Sequence, residues 1–346
     1  MSIIHQNMNN YYIGIMTGTS ADALDGCLVS FEKGFEFIES ASIQLENGYK
    51  KNYEACIKAG YKKTSESKIL IELEKTLNKQ TIELIKNLVD KSNIDISEIN
   101  LIAFSGQTVF HTNEKSYQIG DPEVIAKETK INVCSDFRNF NIKNGGIGAP
   151  LIPAFHSYLF SEDNKSKIVF NIGGIANGTF LKDGEIVLAS DVGPGNCLID
   201  FVMAERFDKP FDDKGEEASI GVINQELLNE LRNSCSNMQY PRADDKQSYY
   251  ELINNSFYEI QPNSVLRTLT EFTSEKITEF YDFCGNPDEV IIHGGGTKNE
   301  YLMGLIKKNI SGTMKTTEDK VPSKFVEAAG FAYLAYLNKG EMFFSK

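Results

Sequence analysis

Apolar and polar positions along the first half of the chain follow the patterns of strands and helices in turn. An apolar run over residues 11–17 stops at Gly18, and a second run occupies residues 24–31, which predicts a strand, a polar turn and a strand. Apolar residues recur at helical spacing over 69–89, and residues 100–104 have the composition of a buried strand. Alternating strands and helices predict an α/β domain.

The second half of the chain repeats the strand, glycine turn and strand arrangement. Strands are predicted over 167–171, 176–181, 185–189 and 289–293. The remaining predicted elements are a strand over 131–135, helices over 121–128, 196–207, 224–232, 264–283 and 299–308, and a last amphipathic helix over 324–337. Residues 233–248, rich in Asn, Ser, Asp and Pro, are predicted to form a surface loop.

The length of the chain indicates two domains. Its 346 residues correspond to about two domains of roughly 150 residues each. We expect an N-terminal lobe over residues 1–130, with a C-terminal helix at about 324–346 packing back on it, and a C-terminal lobe over residues 131–323. Clefts between domains are where substrates usually bind.

Composition narrows the class of function. The chain has 35 Lys and Arg against 48 Asp and Glu, a net charge of −13, and no basic block, so neither nucleic acid nor an anionic membrane is an expected partner. Small-molecule chemistry is favoured instead. The six cysteines lie far apart, as is typical of reduced thiols, and no apolar run approaches the roughly 20 residues of a membrane span. We therefore expect a cytoplasmic protein.

Three glycine-bearing turns carry the candidate chemistry, each directly after a strand. They are Gly18-Thr19-Ser20, Gly173-Gly174 and Gly294-Gly295-Gly296. Glycine lets consecutive backbone N–H groups converge on an anion, and the hydroxyls of Thr19 and Ser20 add donors. One such turn alone is more often ordinary turn chemistry. Three together predict that the chain binds the phosphates of a nucleotide.

Carboxylates accompany two of these turns. Asp22 and Asp25 follow the first turn, and Asp191 ends a strand immediately before Gly193. A Mg²⁺ ion that bridges nucleotide phosphates needs only one or two carboxylates, directly or through water. Asp22 is the candidate metal ligand. The alternative is that its side chain satisfies local amides in an Asx turn.

In the order of its motifs, the sequence resembles the anhydro-N-acetylmuramic acid kinases, members of the hexokinase-like and actin-like ATPase superfamily. The resemblance covers nearly the whole chain. It rests on the segments G-I-M-T-G-T-S-A-D-A-L-D (14–25), G-Q-T-V (106–109), Q-I-G-D-P (118–122), S-D-F-R (135–138), G-A-P-L-I-P-A-F-H (148–156), N-I-G-G-I-A-N (171–177), D-V-G-P-G-N (191–196), G-G-G (294–296) and E-A-A-G-F-A (327–332).

The resemblance implies a two-lobed α/β fold of the ribonuclease H-like, actin-like ATPases, with a deep interdomain cleft and a homodimeric assembly. It implies that ATP is bound by Gly18, Thr19, Ser20, Ala21, Asp22, Ala23, Leu24, Asp25, Gly173, Gly174, Gly294, Gly295 and Gly296. Gln107, Thr108 and Arg138 match its sugar contacts, and Arg138 suits the lactyl carboxylate through a two-pronged ion pair. The alternative for Arg138 is a salt bridge within the Asp136 loop.

The resemblance also implies an unusual reaction in the recycling of bacterial cell-wall muropeptides. One water opens the 1,6-anhydro bridge of the sugar while the freed 6-oxygen takes the γ-phosphoryl group of ATP, giving N-acetylmuramic acid 6-phosphate. Asp191 matches the general base of the family. A carboxylate there can take a proton from the water that attacks the anomeric carbon.

Departures from the family pattern fall mostly outside the nucleotide turns. They are Ala23 for a usual Gly, Ser105 for His, Asn141 for Asp, Ile147 for Gln, Lys324 for Asp, and residues 241–247 for the segment P-K-S-T-G-R-E. A Cβ at Ala23 matters only where φ is positive or the ligand approaches closely. The other departures concern the sugar side or lobe closure. Two alternatives therefore stay open, a kinase of a different amino sugar and a catalytically silent, nucleotide-gated binding module.

Overall fold

The computed structural model describes residues 11–18, 20–58, 68–236 and 239–346. The strands are β1 (Tyr11–Thr17), β2 (Ala23–Ser30), β3 (Glu36–Gln44), β4 (Ile99–Phe104), β5 (Gln107–His111), β6 (Ser116–Ile119), β7 (Val133–Ser135), β8 (Ser166–Ile172), β9 (Ile175–Lys182), β10 (Glu185–Pro194), β11 (Glu289–His293), β12 (Thr313–Thr316) and β13 (Glu341–Phe343). The helices are α1 (Tyr49–Lys58), α2 (Lys68–Ser92), α3 (Pro122–Thr129), α4 (Phe137–Lys143), α5 (Pro153–Phe160), α6 (Cys197–Phe207), α7 (Glu216–Ser219), α8 (Gln225–Ser234), α9 (Lys246–Tyr250), α10 (Ser256–Glu259), α11 (Pro262–Phe283), α12 (Glu300–Asn309) and α13 (Val326–Tyr336). In the described ranges, no helix combines the length and the apolar composition needed to cross a membrane.

The chain divides into a first unit, residues 1–155 with 325–346, and a second unit, residues 156–324. The first boundary differs from the division expected at residue 130. Residues 131–155 belong to the first unit because β7 within them pairs in parallel with β4. The last helix, α13, also lies in the first unit, where it packs on β1.

The two units repeat one strand arrangement. The sheet of the first unit has the order β13-β7-β4-β1-β2-β3, and that of the second has the order β10-β9-β8-β11-β12. In the first unit, β1 is antiparallel to β2 and parallel to β4. In the second unit, β8 is likewise antiparallel to β9 and parallel to β11, the fourth strand in its order along the chain. Because parallel strands end at the same edge, the first hairpin turn of each unit meets the loop that follows the fourth strand.

In the first unit, β1 contributes to packing on both faces of the sheet. Ile13 and Ile15 are fully buried in a core shared with Leu77 and Leu84 of α2. The intervening Gly14 faces the opposite side, since side chains alternate along a strand, and there it meets α13. A Cβ at Gly14 would lie 1.9 Å from the carbonyl oxygen of Ala328. Glycine therefore allows this helix to lie directly on the sheet.

The expectation that the last helix is amphipathic is wrong. The buried residues of α13 occupy all sides of the helix, and they are Val326, Ala328, Ala329, Gly330, Phe331, Ala332, Leu334 and Ala335. The first unit covers the helix from several directions, since Phe137 contacts Phe331 and Phe155 contacts Tyr333. A helix covered in this way needs no polar face.

In the second unit, α11 is the central helix of two adjoining cores. Its Ile277 and Phe280 pack on Ile168 and Phe170 of β8, together with residues of α12. Nearer its beginning, α11 contributes to a second core with α6, α8, α9 and α10. This packing fixes the second sheet, and with it the turns at the sheet edge.

The surface loop predicted over residues 233–248 needs correction. Its ends belong to α8 and α9, and the irregular residues between them that the structure describes are not simply exposed. The side chains of Arg242 and Asp244 are only 12% and 9% exposed and form an ion pair with each other. The polar composition of the segment thus reflects a half-buried hydrogen-bond network.

Gly14→Ala tests the close contact between β1 and α13. The added methyl would overlap the Ala328 carbonyl oxygen, so we expect a destabilisation of about 1–3 kcal/mol or more. Gly304→Ala in α12 is the control, because no atom lies within 4 Å of its Cβ position. Replacing a helical glycine there should stabilise by about 0.5–1 kcal/mol. Urea unfolding followed by circular dichroism measures both, and equal midpoints for Gly14→Ala and wild type would contradict the packing described.

Candidate active site

The side-chain amide of a buried residue, Gln107, forms a hydrogen bond with the first glycine turn. Gln107 is fully buried, and its Nε2 donates to the carbonyl oxygen of Gly18 at 3.0 Å. Its Oε1 accepts a hydrogen bond from Oγ1 of Thr17 at 2.9 Å. Gln107 was predicted as a sugar contact. The structure gives its side chain a contact with the turn itself, which fixes the carboxyl end of β1.

The polar groups of the first turn bond to one another. Oδ1 of Asp22 accepts from Oγ of Ser20 at 2.6 Å and from N of Ala23 at 3.0 Å, while the Asp22 side chain is exposed. Asp22 thus satisfies a local amide, that of the next residue, whereas an Asx turn uses the amide two residues on; its carboxylate is also exposed to solvent. Thr19, predicted to bind phosphate, lies outside the described residues.

The remaining residues of this segment that were predicted to bind the nucleotide lie in β2 or just before it. Ala21 is fully buried with φ +50°, whereas Ala23 lies in the extended strand opposite Gln44. The alanine that replaces the usual glycine therefore causes no backbone strain. Leu24 is fully buried in the core, and Asp25 accepts a hydrogen bond from Oγ of Ser42 at 2.6 Å. Leu24 also pairs with Thr17 on β1 and with Ile43 on β3, so the structure gives it a place in the sheet and core.

A small cavity in the first unit brings the other two predicted sugar contacts together. Its volume is about 50 Å³, and Thr108, Arg138, Ser105 and Glu327 are among the residues that line it. Nη1 of Arg138 donates to the carbonyl oxygen of Gly148 at 2.8 Å. Sequence analysis did not select Ser105 or Glu327 as site residues, although both lie in or beside family motifs. Three hydroxyls (Thr17, Ser105 and Thr108), a carboxylate and a guanidinium thus line one cavity, whose volume admits a substituent of a sugar and not a whole ring.

In the second unit, strand pairing places Asp191 beside the second glycine turn. Asp191 pairs with Asn177 on β9, and the register shifts between Asp191 and Gly193. Just after β10 ends, N of Asn196 donates to the carbonyl oxygen of Gly173 at 2.8 Å. The Asp191 side chain is 9% exposed, and its Oδ2 accepts a hydrogen bond from N of Asp244 at 2.7 Å. The carboxylate predicted as the base is therefore fixed next to the turn.

The third glycine turn packs on the end of β8. Gly294 has φ +89°, and a Cβ there would lie 2.3 Å from Oδ1 of Asn171. That oxygen is buried and has no hydrogen-bond partner among the described residues. A Cβ at Gly295, in contrast, would meet no atom within 4 Å. Gly294 thus serves close packing, and the backbone of Gly295 is open to a ligand.

Sequence analysis missed a buried histidine pair, one member of which directly precedes this turn. His156 and His293 are fully buried, and their Nε2 atoms lie 3.0 Å apart. Nδ1 of His156 lies 2.9 Å from Oγ1 of Thr179. Burial lowers the pKa of His156 to about 3 and lowers the pKa of His293 well below its ordinary value. Both rings are therefore neutral. His293 directly precedes Gly294 in the chain.

Metal-ligand clusters are not a feature of the described part of the chain. Within it, no group of three or more His, Cys, Asp or Glu side chains is arranged to hold a metal ion. The exposed Asp22 carboxylate is instead a single oxygen group beside a glycine turn. Mg²⁺ bound with nucleotide phosphates and water requires only one or two carboxylates.

Comparison with known sequences matches nearly the whole chain. Residues 10–342 match the family model described as anhydro-N-acetylmuramic acid kinase. The chain is 34% identical to the curated anhydro-N-acetylmuramic acid kinase of Shewanella baltica, covering 95% of this chain and 92% of that protein. It is 33% identical to the enzyme of the same name from Aliivibrio fischeri, covering 94% of this chain and 91% of that protein.

Solved structures show the fold. Component A of (R)-2-hydroxyglutaryl-CoA dehydratase from Acidaminococcus fermentans is similar with a TM-score of 0.52 at 13% identity, covering 95% of this chain and 99% of that one. The activator of 2-hydroxyisocaproyl-CoA dehydratase from Clostridium difficile, with bound ADPNP, gives a TM-score of 0.50 at 12% identity, covering 95% of each chain. These likenesses and the strand order repeated in the two units confirm the predicted two-lobed α/β fold.

The buried histidine pair predicts acid sensitivity of the folded chain. An unfolded histidine takes up a proton below about pH 6.5, whereas the folded pair resists protonation. The resulting stability is full above that pH and is lost as the pH falls toward the lowered pKa values. Each histidine contributes a slope of up to about 1.4 kcal/mol per pH unit.

His293→Gln tests this dependence, because the amide can still bond to Nε2 of His156 but does not titrate. We expect the free energy of unfolding to fall less steeply in the variant, by about 1 kcal/mol between pH 6 and pH 5. Urea unfolding at several pH values measures both slopes. Parallel curves for variant and wild type would contradict the assignment of two neutral, buried rings.

Proposed function

This chain belongs to the anhydro-N-acetylmuramic acid kinase family, and we propose that it opens the 1,6-anhydro ring of anhydro-N-acetylmuramic acid and phosphorylates the 6-oxygen with ATP. The family match over residues 10–342 supports an ATP-dependent sugar kinase. The product is N-acetylmuramic acid 6-phosphate. Such a reaction returns an anhydro sugar released from cell-wall muropeptides to metabolism.

The reaction balances with one water and one ATP. The water oxygen bonds to the anomeric carbon C1, and the bond between C1 and O6 breaks. O6 takes the γ-phosphoryl group of ATP, and ADP leaves. One water proton stays on the new anomeric hydroxyl, and the other passes to a base on the protein.

The placement of Asp191 beside the Gly173 turn is the observation that carries this proposal. A general base must lie close to the proton that it removes and must keep a fixed orientation. The Asp244 N–H holds one oxygen of the Asp191 carboxylate at 2.7 Å. We therefore assign the proton abstraction to Asp191.

The glycine turns fit the phosphates of ATP. The atoms nearest to a Cβ on Gly18 and Gly173 are 3.6 Å and 3.5 Å away, and none lies within 4 Å for Gly295. Backbone N–H groups at such positions can approach an anion closely. The residue that would hold Mg²⁺, directly or through water, is Asp22. When bound, Mg²⁺ neutralises charge on the phosphate oxygens.

The cavity lined by Thr108 and Arg138 supports the sugar side of the proposal. The Arg138 guanidinium has several N–H donors in a rigid fork, a geometry that matches the two oxygens of a carboxylate. The lactyl group of the muramic acid supplies such a carboxylate. Thr108 contributes a hydroxyl to the same cavity.

Two further expectations belong to the proposal. All six cysteines are free thiols, which supports a reducing compartment such as the cytoplasm. A homodimer is the assembly that the family resemblance implies. Analytical ultracentrifugation of the purified chain measures that assembly directly.

ADP release that depends on added anhydro-N-acetylmuramic acid tests the function, and Asp191→Asn tests the base. We expect Asp191→Asn to lower turnover about 10³-fold, because positioned bases contribute about 10²- to 10⁴-fold, with ATP affinity preserved. Asp183→Asn is the matched control, since this exposed Asp lies at the other end of the same hairpin. Turnover of Asp191→Asn within a few-fold of wild type would refute the assignment.

The same assay separates the proposed activity from its two alternatives. ADP release stimulated by a plain hexosamine, and not by the anhydro sugar, would identify a kinase of another amino sugar. Binding of ATP with no sugar-dependent release would identify a catalytically silent binding module. Either result would overturn the proposed function.

Arg138→Ala tests the carboxylate contact on the sugar side. Because a charge-assisted, two-pronged pair is lost, we expect KM for the sugar to rise about tenfold or more, with KM for ATP and the melting temperature little changed. Lys143→Ala is the control, because Lys143 lies on the same helix and forms only an exposed ion pair with Glu341. An unchanged sugar KM, or unfolding of Arg138→Ala alone, would favour a structural role for Arg138.

A further inference from the structure

Residues 241–244, here termed the strap, lie along the edge of β10 beside Asp191. N of Asp191 donates to the carbonyl oxygen of Arg242 at 3.0 Å, and N of Arg242 donates to Oγ of Ser190 at 2.9 Å. Oγ of Ser190 in turn donates to the carbonyl oxygen of Asp191 at 2.7 Å. Since β10 is the outermost strand of its sheet, the strap covers its open edge at the position of the proposed base.

The strap is held by a network of buried charged and polar side chains. The Arg242 guanidinium pairs with the Asp244 carboxylate at 3.0 Å and also donates to the carbonyl oxygen of Val192. The Tyr249 hydroxyl donates to the same carboxylate. Asp244 is 9% exposed at its side chain and Tyr249 is 1% exposed. A carboxylate this buried requires its partners, so the network fixes the backbone of Asp244.

The side chains of the strap alternate between the network and solvent. Arg242 and Asp244 point inward, whereas Pro241, Ala243 and the next residue, Asp245, are exposed. Burial raises the pKa of the Tyr249 phenol, with the neighbouring Asp244 charge adding to the effect, so the hydroxyl stays protonated as a donor. The two aspartates thus have different environments although they are adjacent.

One backbone group connects this network with the base. N of Asp244 donates to Oδ2 of Asp191 at 2.7 Å, so the conformation of the strap sets where that donor points. Because Cβ, Cγ and Oδ2 define the plane of the carboxylate, this donor helps to set the orientation of the base. Misplacement of a catalytic group by about 1 Å can cost about 10²-fold in rate.

We propose that Asp244 is a positioning residue, whose side-chain bonds to Arg242 and Tyr249 hold its own N–H against Asp191 and so orient the base for proton abstraction. This inference rests on the proposed role of Asp191. Sequence position alone gives no indication of it, because the strap falls where the chain departs from the family segment P-K-S-T-G-R-E. The Arg242, Asp244 and Tyr249 network thus reaches the base through one backbone N–H.

Asp244→Ala and Tyr249→Phe test the inference, with Asp245→Ala as the matched control. We expect Asp244→Ala to lower kcat about 10²-fold, and Tyr249→Phe to lower it less, with the ATP Kd and the sugar KM within about twofold of wild type. Asp245→Ala removes an exposed carboxylate that caps α9 and should leave kcat unchanged. Tyr249→Phe keeps the ring, so it tests the network even where Asp244→Ala does not fold.

A double-mutant cycle separates positioning from a general structural role. In an Asp191→Asn background, Asp244→Ala should cause no further loss of the single-turnover rate, because Asp244 acts through Asp191. An equal loss in both backgrounds, or kcat values of Asp244→Ala and Tyr249→Phe equal to that of Asp245→Ala, would overturn the inference while Asp191 remains the base. Absence of sugar-dependent ADP release by the wild type would overturn the proposed function and this inference with it.

Discussion

Antiparallel pairing of β9 with β10 is the interaction on which the candidate site of the second unit depends. The pairing sets Asp191 opposite Asn177 and brings N of Gly195 to the carbonyl oxygen of Gly174 at 3.0 Å. A slip by one residue would turn every side chain of β10 to the other face of the sheet. The site also tolerates no side chain at Gly195, where a Cβ would lie 2.3 Å from the carbonyl oxygen of Gly173. Register and glycine together place the carboxylate.

In the first unit, a different kind of contact holds the glycine turn in place. Its opening hairpin has a glycine turn at the corresponding sheet edge, and the loop after the fourth strand supplies the support. There the support is the amide of Gln107, which bonds to Thr17 and Gly18 on either side of the strand end. The first unit thus combines its glycine turn with one buried group that fixes it. In the second unit, a buried residue of a histidine pair, His293, directly precedes the turn at Gly294.

Features with a local cause could be predicted from the sequence. The strands around Gly18 and Gly173 follow from short apolar runs that stop at glycine, and α2 and α11 follow from apolar residues at helical spacing. The strand β3 was missed because it lies at a sheet edge and most of its residues are only partly buried, so it shows no continuous apolar run. The prediction that the last helix is amphipathic was wrong, because the pattern of apolar residues does not show on how many sides other elements will pack against a helix.

Features that depend on distant parts of the chain could not be predicted. Gln107 meets Thr17 across 90 positions, His293 meets His156 across 137, and Asp244 meets Asp191 across 53. Nothing in the local pattern indicates these partners. The motifs of the family identified Asp191 as a residue of interest, but its support by the strap comes from tertiary structure alone. The sequence thus predicts which groups carry the chemistry, and the fold shows what these groups contact.

A crystal structure of the chain with anhydro-N-acetylmuramic acid and a nonhydrolysable ATP analogue tests the central claim most directly. The account predicts a water within about 2.6–3.2 Å of an Asp191 carboxylate oxygen, on the side of C1 opposite the bond to O6, with the triphosphate on the glycine turns. A bound sugar whose C1 is out of reach of any water held by Asp191 would contradict it.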